Sequence, residues 1–381
     1  MALANVSINK VAGSIASALQ NNDGISGMVF YDTTLTPGEY TIYELKDLED
    51  EGFEEGVADV TNVVHYHVSE YFKFTTAKLY VKILAAFDDF ACLDSESQRA
   101  NGEIKLWGIY DNINDIDSTN ITLLQTEIDK LADDRKVASC VPAYSADVPT
   151  NVEALTDMTT INADSVAVCI SQDLTGDSQG YLLFDALTDT LVGTMGTLLG
   201  KTSDTGVSDS VAATKTGNIA VGAFDILGFI DGSSYISKSK TFLDQLDTYQ
   251  YTFLRKVVGL AGSYFNFDYT ISSNADFSQV TLNRVYNKAF DACYRALVTE
   301  LNSKLYTKND GSGMINVMTE QVFIDKISTA LNQMVGNGEM NDYTVIIPEQ
   351  DVVTSKTIKI TLEVQIFAYS KFISVDFKYK L

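Results

Sequence analysis

Two histidines and four cysteines in 381 residues leave little from which to build an enzyme. Cys92, Cys140, Cys169 and Cys293 lie far apart with no paired spacing, which excludes a zinc framework, and Cys140 and Cys169 sit in apolar, strand-like runs. All four are expected as buried, reduced thiols. Cations are scarce as well. With 27 Lys and Arg against 51 Asp and Glu, the formal charge is −24, and no surplus of cations exists to release counterions from a phosphate backbone. Nucleic acid is therefore excluded as a partner. No stretch approaches the ~20 apolar residues of a membrane span, and "MALANVSINKVAGSIASALQ" lacks the unbroken apolar core of a signal peptide. The expectation is a chain made in the cytosol, with no membrane partner in the resting state. Proline is limited to four residues, and no internal repeat is visible.

Three short motifs imitate chemistry. "GDSQG" at 176–180 fits the nucleophile elbow, but the triad of that fold needs a histidine after Ser178. His65 and His67 both precede it, so chain order excludes a hydrolase of that fold. "MGTLLGKT" at 195–202 ends like a phosphate-binding loop, yet Gly196 stands three residues before Gly200 instead of four, and the preceding "LLFDALTDTLVG" reads helical where a strand is required. "HYH" at 65–67 could hold a metal in a strand, but its flanks read as a helix, which splays the rings by ~200°. His67 and Glu70 could share a face, and two ligands alone make no site. No catalytic, cofactor or metal residue is assigned.

What the sequence does contain is the pattern of a folded protein. Apolar residues make up 45% and charged ones 20%, and the length suits two or so domains at ~100–200 residues each. A helix is expected near 60–74, strands at 78–85 and 103–110, a helix at 122–135, and strands at 136–143 and 164–171. This alternation predicts an α/β middle with parallel pairing. After a small-residue region at 193–223 come an expected strand in "YTFLRKVVG", a long helix at 277–305, a Gly-rich turn, and a helix at 319–335. Charge is uneven: Glu44 to Asp59 holds eight acids and one lysine, whereas Lys356 to Leu381 holds five lysines and two acids. A basic tail on an acidic body suits docking on a neighbour.

The chain ends on two alternating stretches. Ile358, Ile360, Leu362, Val364 and Ile366 alternate with polar residues, the period of a half-buried strand. After Tyr369 to Lys371 the pattern restarts with Ile373, Val375, Phe377, Tyr379 and Leu381. An apolar face on a free end serves equally for its own sheet or for pairing with another chain.

Three stretches together resemble the contractile tail sheath proteins of bacteriophages and related contractile injection systems. They are "VVHYHVSEYFKFTTAKLYVKI" (63–83), the segment 251–297 whose helix carries Asn283, Arg284 and Lys288, and the ending with "VIIPEQD" and two strands. The order of these elements covers most of the chain, while 144–245 carries little of the likeness. The resemblance implies an α/β fold, a mixed sheet flanked by helices, with extended N- and C-terminal arms that pair with neighbouring subunits. It implies an N-terminal arm at 1–26, anchored by Val6 and Ile8, an α/β outer domain at 27–245, a sheath core domain at 246–368, and a C-terminal strand arm at 369–381. That arm presents Ile373, Val375, Phe377, Tyr379 and Leu381 to a neighbour. Asn21 to Gly24 and Tyr369 to Lys371 are the expected hinges. The implied function is structural, without catalytic residues or cofactors: hexameric rings stacked around an inner tail tube, capped by baseplate and tail terminator proteins. The implied location is a virion tail or a cytoplasmic contractile particle made in a bacterial host. Lys326, Asp325 and Gln333 are the expected tube-facing residues. Two alternatives stay open: another tail component, a tube or baseplate protein, against which the long helix counts, and a hydrolase using Ser178.

Overall fold

The structure is a computed structural model, and it describes residues 23–54, 61–135, 137–147, 152–175, 193–219 and 224–371. Its larger part is built on six strands: β1 (Ser26–Tyr31), β2 (Gly38–Ile42), β3 (Leu79–Leu84), β4 (Leu106–Asp115), β5 (Cys140–Asp147) and β6 (Val166–Val168). They lie in the order β2-β3-β1-β4-β5-β6 and are parallel except where β2 joins β3. All six residues of β1 are buried, since a parallel strand covered on both faces needs no polar side. Gly27 in β1 leaves room for Trp107 of β4, whose ring would lie 2.5 Å from any Cβ there.

The helices of this part are α1 (Leu45–Asp50), α2 (Thr61–Phe72), α3 (Cys92–Arg99), α4 (Ser118–Lys130), α5 (Met195–Asp204) and α6 (Lys240–Thr248). The Asp117 carboxylate accepts the Asn120 N–H at 2.8 Å, which starts α4 by satisfying one of its free amides. At its far end α4 runs into a π-helical turn, Leu131–Arg135. Helix α5 packs on α2, β4 and β5. Its Gly196 and Gly200 face the α2 backbone so closely that a Cβ would lie 2.2 Å from the His67 carbonyl oxygen and 2.6 Å from that of Tyr71. Two backbones touch there because no side chain intervenes. At the sheet's edge, Arg99 of α3 donates to the Tyr40 carbonyl at 3.0 Å and to Thr41 Oγ1 at 2.9 Å, held from behind by Glu96 at 2.6 Å.

Two short pairs follow, β7 (Ser171–Asp173) with β8 (Leu227–Phe229) and β9 (Leu254–Arg255) with β10 (Tyr264–Phe265). The strand expected over "YTFLRKVVG" is thus only two residues long, because Val258 and Gly259 turn the chain, Gly259 at φ +88°. The last part holds α7 (Val280–Leu297), α8 (Val317–Gly336), β11 (Asp342–Ile346), α9 (Val352–Ser355) and β12 (Thr361–Gln365). Helix α7 is shorter than the expected 277–305. It starts where the Asp268 backbone carbonyl and carboxylate take the Val280 N–H and the Thr281 hydroxyl, and it gives way to a 3₁₀ turn at Val298–Glu300. Val285, Ala289, Cys293 and Leu297 of α7 form a second core with Phe323, Ile327, Leu331 and Met334 of α8, joined by Val207 from beyond α5.

The expected mixed sheet flanked by helices is therefore the observed architecture. All four cysteines are buried and unbonded, and burial pushes the thiols of Cys92, Cys140 and Cys293 up to about 12. Val6 and Ile8 of the N-terminal arm, and Ile373, Val375, Phe377, Tyr379 and Leu381 of the C-terminal one, lie outside the described residues.

Candidate assembly site

Strands β11 and β12 pair antiparallel, Thr344 opposite Glu363, and have no third strand among the described residues. Two strands alone are marginal in water. Helix α8 supports this pair: the Tyr343 hydroxyl lies 3.2 Å from the Ser328 carbonyl and 2.8 Å from Asn332 Oδ1. Tyr343, Val345, Leu362 and Val364 turn toward the second core yet stay only half-buried, and the residues between them are exposed. The inward row continues through Ile358, Ile360 and Ile366, as their alternation predicts.

The cause of the incomplete burial is visible beside β12. While β11 lies against α8, β12 borders a groove of about 660 Å³ whose lining includes Phe277, Leu282, Tyr286 and Phe290 together with Leu362 and Val364. Part of the apolar flank of α7 thus forms one wall of a trough with a free strand edge beside it. Its chemistry suits an extended segment that pairs with β12 through its backbone and drops alternate apolar side chains against α7.

The described residues of the two stretches expected as hinges are tied to the body, while Asn21 and Asn22 lie outside the described residues. Lys288 of α7, largely buried, reaches Asp23 and Glu339, each at 2.6 Å. At the other end the Tyr369 hydroxyl donates to the Ser208 carbonyl at 2.5 Å, and burial pushes that phenol up to about 12, so it stays a donor at neutral pH. Lys371 pairs with Asp247 at 2.6 Å and lies over the rings of Phe267 and Tyr269.

Lys326, Asp325 and Gln333 come together on α8, where they line a more polar cleft of about 710 Å³ shared with Asp23, Lys288 and Glu339. Lys326 pairs with Glu300 at 2.6 Å, and Asp325 accepts from Gln321 at 2.7 Å. The motifs resolve otherwise. The "MGTLLGKT" segment is helix α5, its glycines serve the crossing with α2, and Lys201 lies against Phe74 and Asp204. His67 and Glu70 do share a face of α2, the one that meets α5: His67 Nδ1 accepts the Gly196 N–H at 3.2 Å, and Glu70 accepts the Thr197 hydroxyl at 3.0 Å. His65 faces Glu49 at 3.4 Å instead. Ser178 lies outside the described residues, and no cluster of three potential metal ligands occurs among the described ones.

The sequence profile of the DUF2586 N-terminal domain matches residues 3–267. The chain belongs to the DUF2586 family. No curated protein matches its sequence. Among solved structures, this DUF2586 protein is similar to a chain of the six-fold symmetrised baseplate of the anti-feeding prophage, with a TM-score of 0.60, 16% identity and 100% of both chains covered. It is similar to the contracted helical sheath of the same particle, at a TM-score of 0.60 and 15% identity over 99% of each chain. A third likeness is to the contracted sheath complex of the PVC extracellular contractile injection system, at 0.60 and 13% identity, covering 99% of this chain and 98% of that one. The DUF2586 chain thus has the fold found in contractile sheath structures over nearly its whole length.

Proposed function

We propose that this protein is the structural subunit of a contractile sheath. It stacks in six-membered rings around an inner tube and, on contraction, drives that tube through a target envelope. The observation that carries the reading is the two-stranded ribbon β11–β12, whose inward row stays half-buried beside an apolar groove along α7. The occupant is the segment 373–381 of a neighbouring copy. Its Ile373, Val375, Phe377, Tyr379 and Leu381 recur every second residue, each worth ~1.5–3 kcal/mol when fully buried, with backbone bonds adding ~0.5–1.5 kcal/mol each. The N-terminal arm, with Val6 and Ile8, supplies a second link of the same kind. Residues 27–245 form the outer domain and 246–368 the core domain next to the tube, which meets Lys326, Asp325 and Gln333. Baseplate and terminator proteins close the two ends, in a virion tail or a comparable particle made in a bacterial cytoplasm.

Deleting Phe372 to Leu381 tests the reading, with the full-length chain as reference. The purified full-length protein should form striated tubes in negative-stain microscopy at high concentration. The truncated protein should melt within about 2 °C of the parent and form none. A large fall in melting temperature would place the segment in its own subunit and sink strand donation. Full-length protein that remains monomeric at every concentration would remove the sheath assignment itself.

A further inference from the structure

The end of α5 and the residues that follow it, Ser203 to Ser208, touch three places remote from one another in sequence. Ser203 Oγ donates to the Gly24 carbonyl at 2.8 Å, at the root of the N-terminal segment. Ser208 Oγ donates to the Gly338 carbonyl at 3.1 Å, on the turn that leads into β11. The carbonyl of the same Ser208 receives the Tyr369 hydroxyl at 2.5 Å, at the root of the C-terminal segment. Between them Val207 is buried in the second core, and Arg284 of α7 donates to the Thr205 carbonyl at 2.9 Å and to that of Gly206 at 3.2 Å. Arg284 is itself buried, and desolvation lowers its affinity for the proton. Its charge sits at the carbonyl end of α5, where a helix favours a cation.

We infer that Ser203–Ser208 is a coupling junction, through which the state of one terminal segment is felt by the other and by the ribbon. Six consecutive residues hold three roots that are otherwise remote in sequence: 24, 338 and 369. A displacement of Tyr369 pulls on the backbone of Ser208, whose side chain holds the turn before β11. Behind it, Ser203 holds the start of β1. Arg284 and Val207 fix the middle, so the segment shifts as one piece. Tension on the C-terminal segment therefore loosens or tightens the seat of the ribbon and the N-terminal root together, the two-way coupling that linked equilibria require. In a sheath, which rests on the function proposed above, this would pass contraction from one ring to the next.

The test uses the full-length chain in its unassembled form and removes one tie at a time. Tyr369→Phe deletes a single hydroxyl and keeps the ring. Amide hydrogen exchange should then speed up about two- to twelve-fold, the range of a typical hydrogen bond, at three places: around Tyr369, at Asp23 to Ile25, and at Asn337 to Asn341. Ser203→Ala should produce the same three-site response from the other end. Faster exchange confined to the neighbourhood of each substitution would overturn the junction, and so would no change at any site. Because exchange is read on unassembled protein, this outcome is independent of whether the chain forms tubes, which microscopy of the same samples reports separately.

Discussion

The two cores of this molecule are finished to different degrees. In the six-stranded sheet, β1 has no exposed residue and lies between parallel neighbours on both sides. In the ribbon, neither β11 nor β12 has a single fully buried residue, and the apolar residues that alternate along them stay half-buried. Among the described residues the difference is one of neighbours: β1 has a strand on each side, whereas β12 has β11 on one side and a groove beside α7. Under the function proposed above, a part that folds alone and a part that receives a neighbour's strand sit on one chain.

The contrast breaks if a severe change in the first core proves harmless. Gly196→Leu would force side-chain atoms into the α2 backbone, and overpacking against backbone with nowhere to move costs about 3 kcal/mol or more. The expected outcome is insoluble protein, or a melting temperature lowered by many degrees. Next comes a matched pair. Ile109→Ala, in the centre of β4 and fully buried, should cost ~2–5 kcal/mol in denaturant unfolding. Leu362→Ala on β12 should cost the isolated subunit under ~1 kcal/mol, since half-buried apolar atoms return less transfer energy, while still abolishing tube formation. Equal stability losses would mean that the ribbon is as complete as the sheet. Smaller still is Lys326→Glu. Its partner Glu300 and the lysine are both partly exposed, and such a pair is worth ~0–1 kcal/mol, so thermal melting should barely move while co-assembly with tube protein weakens. Lys201→Ala should be the mildest, leaving tube formation intact and nucleotide affinity, assayed with a fluorescent ATP analogue, at background in both proteins.

Much of this was legible in the sequence, and what was not has identifiable causes. Helix α8 and the inward row of β12 follow from periodicity, which a long amphipathic helix and a half-buried strand display directly. Strand β1 gave no such signal, because a strand buried on both faces does not alternate and "SGMVFY" is short and begins with small residues. The helix at 277–305 was expected from its spacing, and the resemblance drew attention to Asn283, Arg284 and Lys288 within it. The structure supplies the reason: Asn283 donates to the carbonyls of Phe277 and Gln279, Arg284 to those beyond α5, and Lys288 ties Asp23 to Glu339. The junction at Ser203–Ser208 was invisible for a related reason. Two of its three root contacts are made to backbone carbonyls of other segments and the third is accepted by its own, and a carbonyl carries no residue identity.

Arg99, fastened across the Tyr40 carbonyl at the rim of the large sheet, acquires a meaning beside the uncovered rim of β12. If the subunit repeats and adds strands as proposed above, it is exposed to polymerising along any rim that accepts one. With a guanidinium across the first rim and no third strand beside the ribbon among the described residues, the proposed incoming strand is directed to the second. Arg99→Ala would open a competing address, and copies joined there would grow without regard to the geometry of a ring.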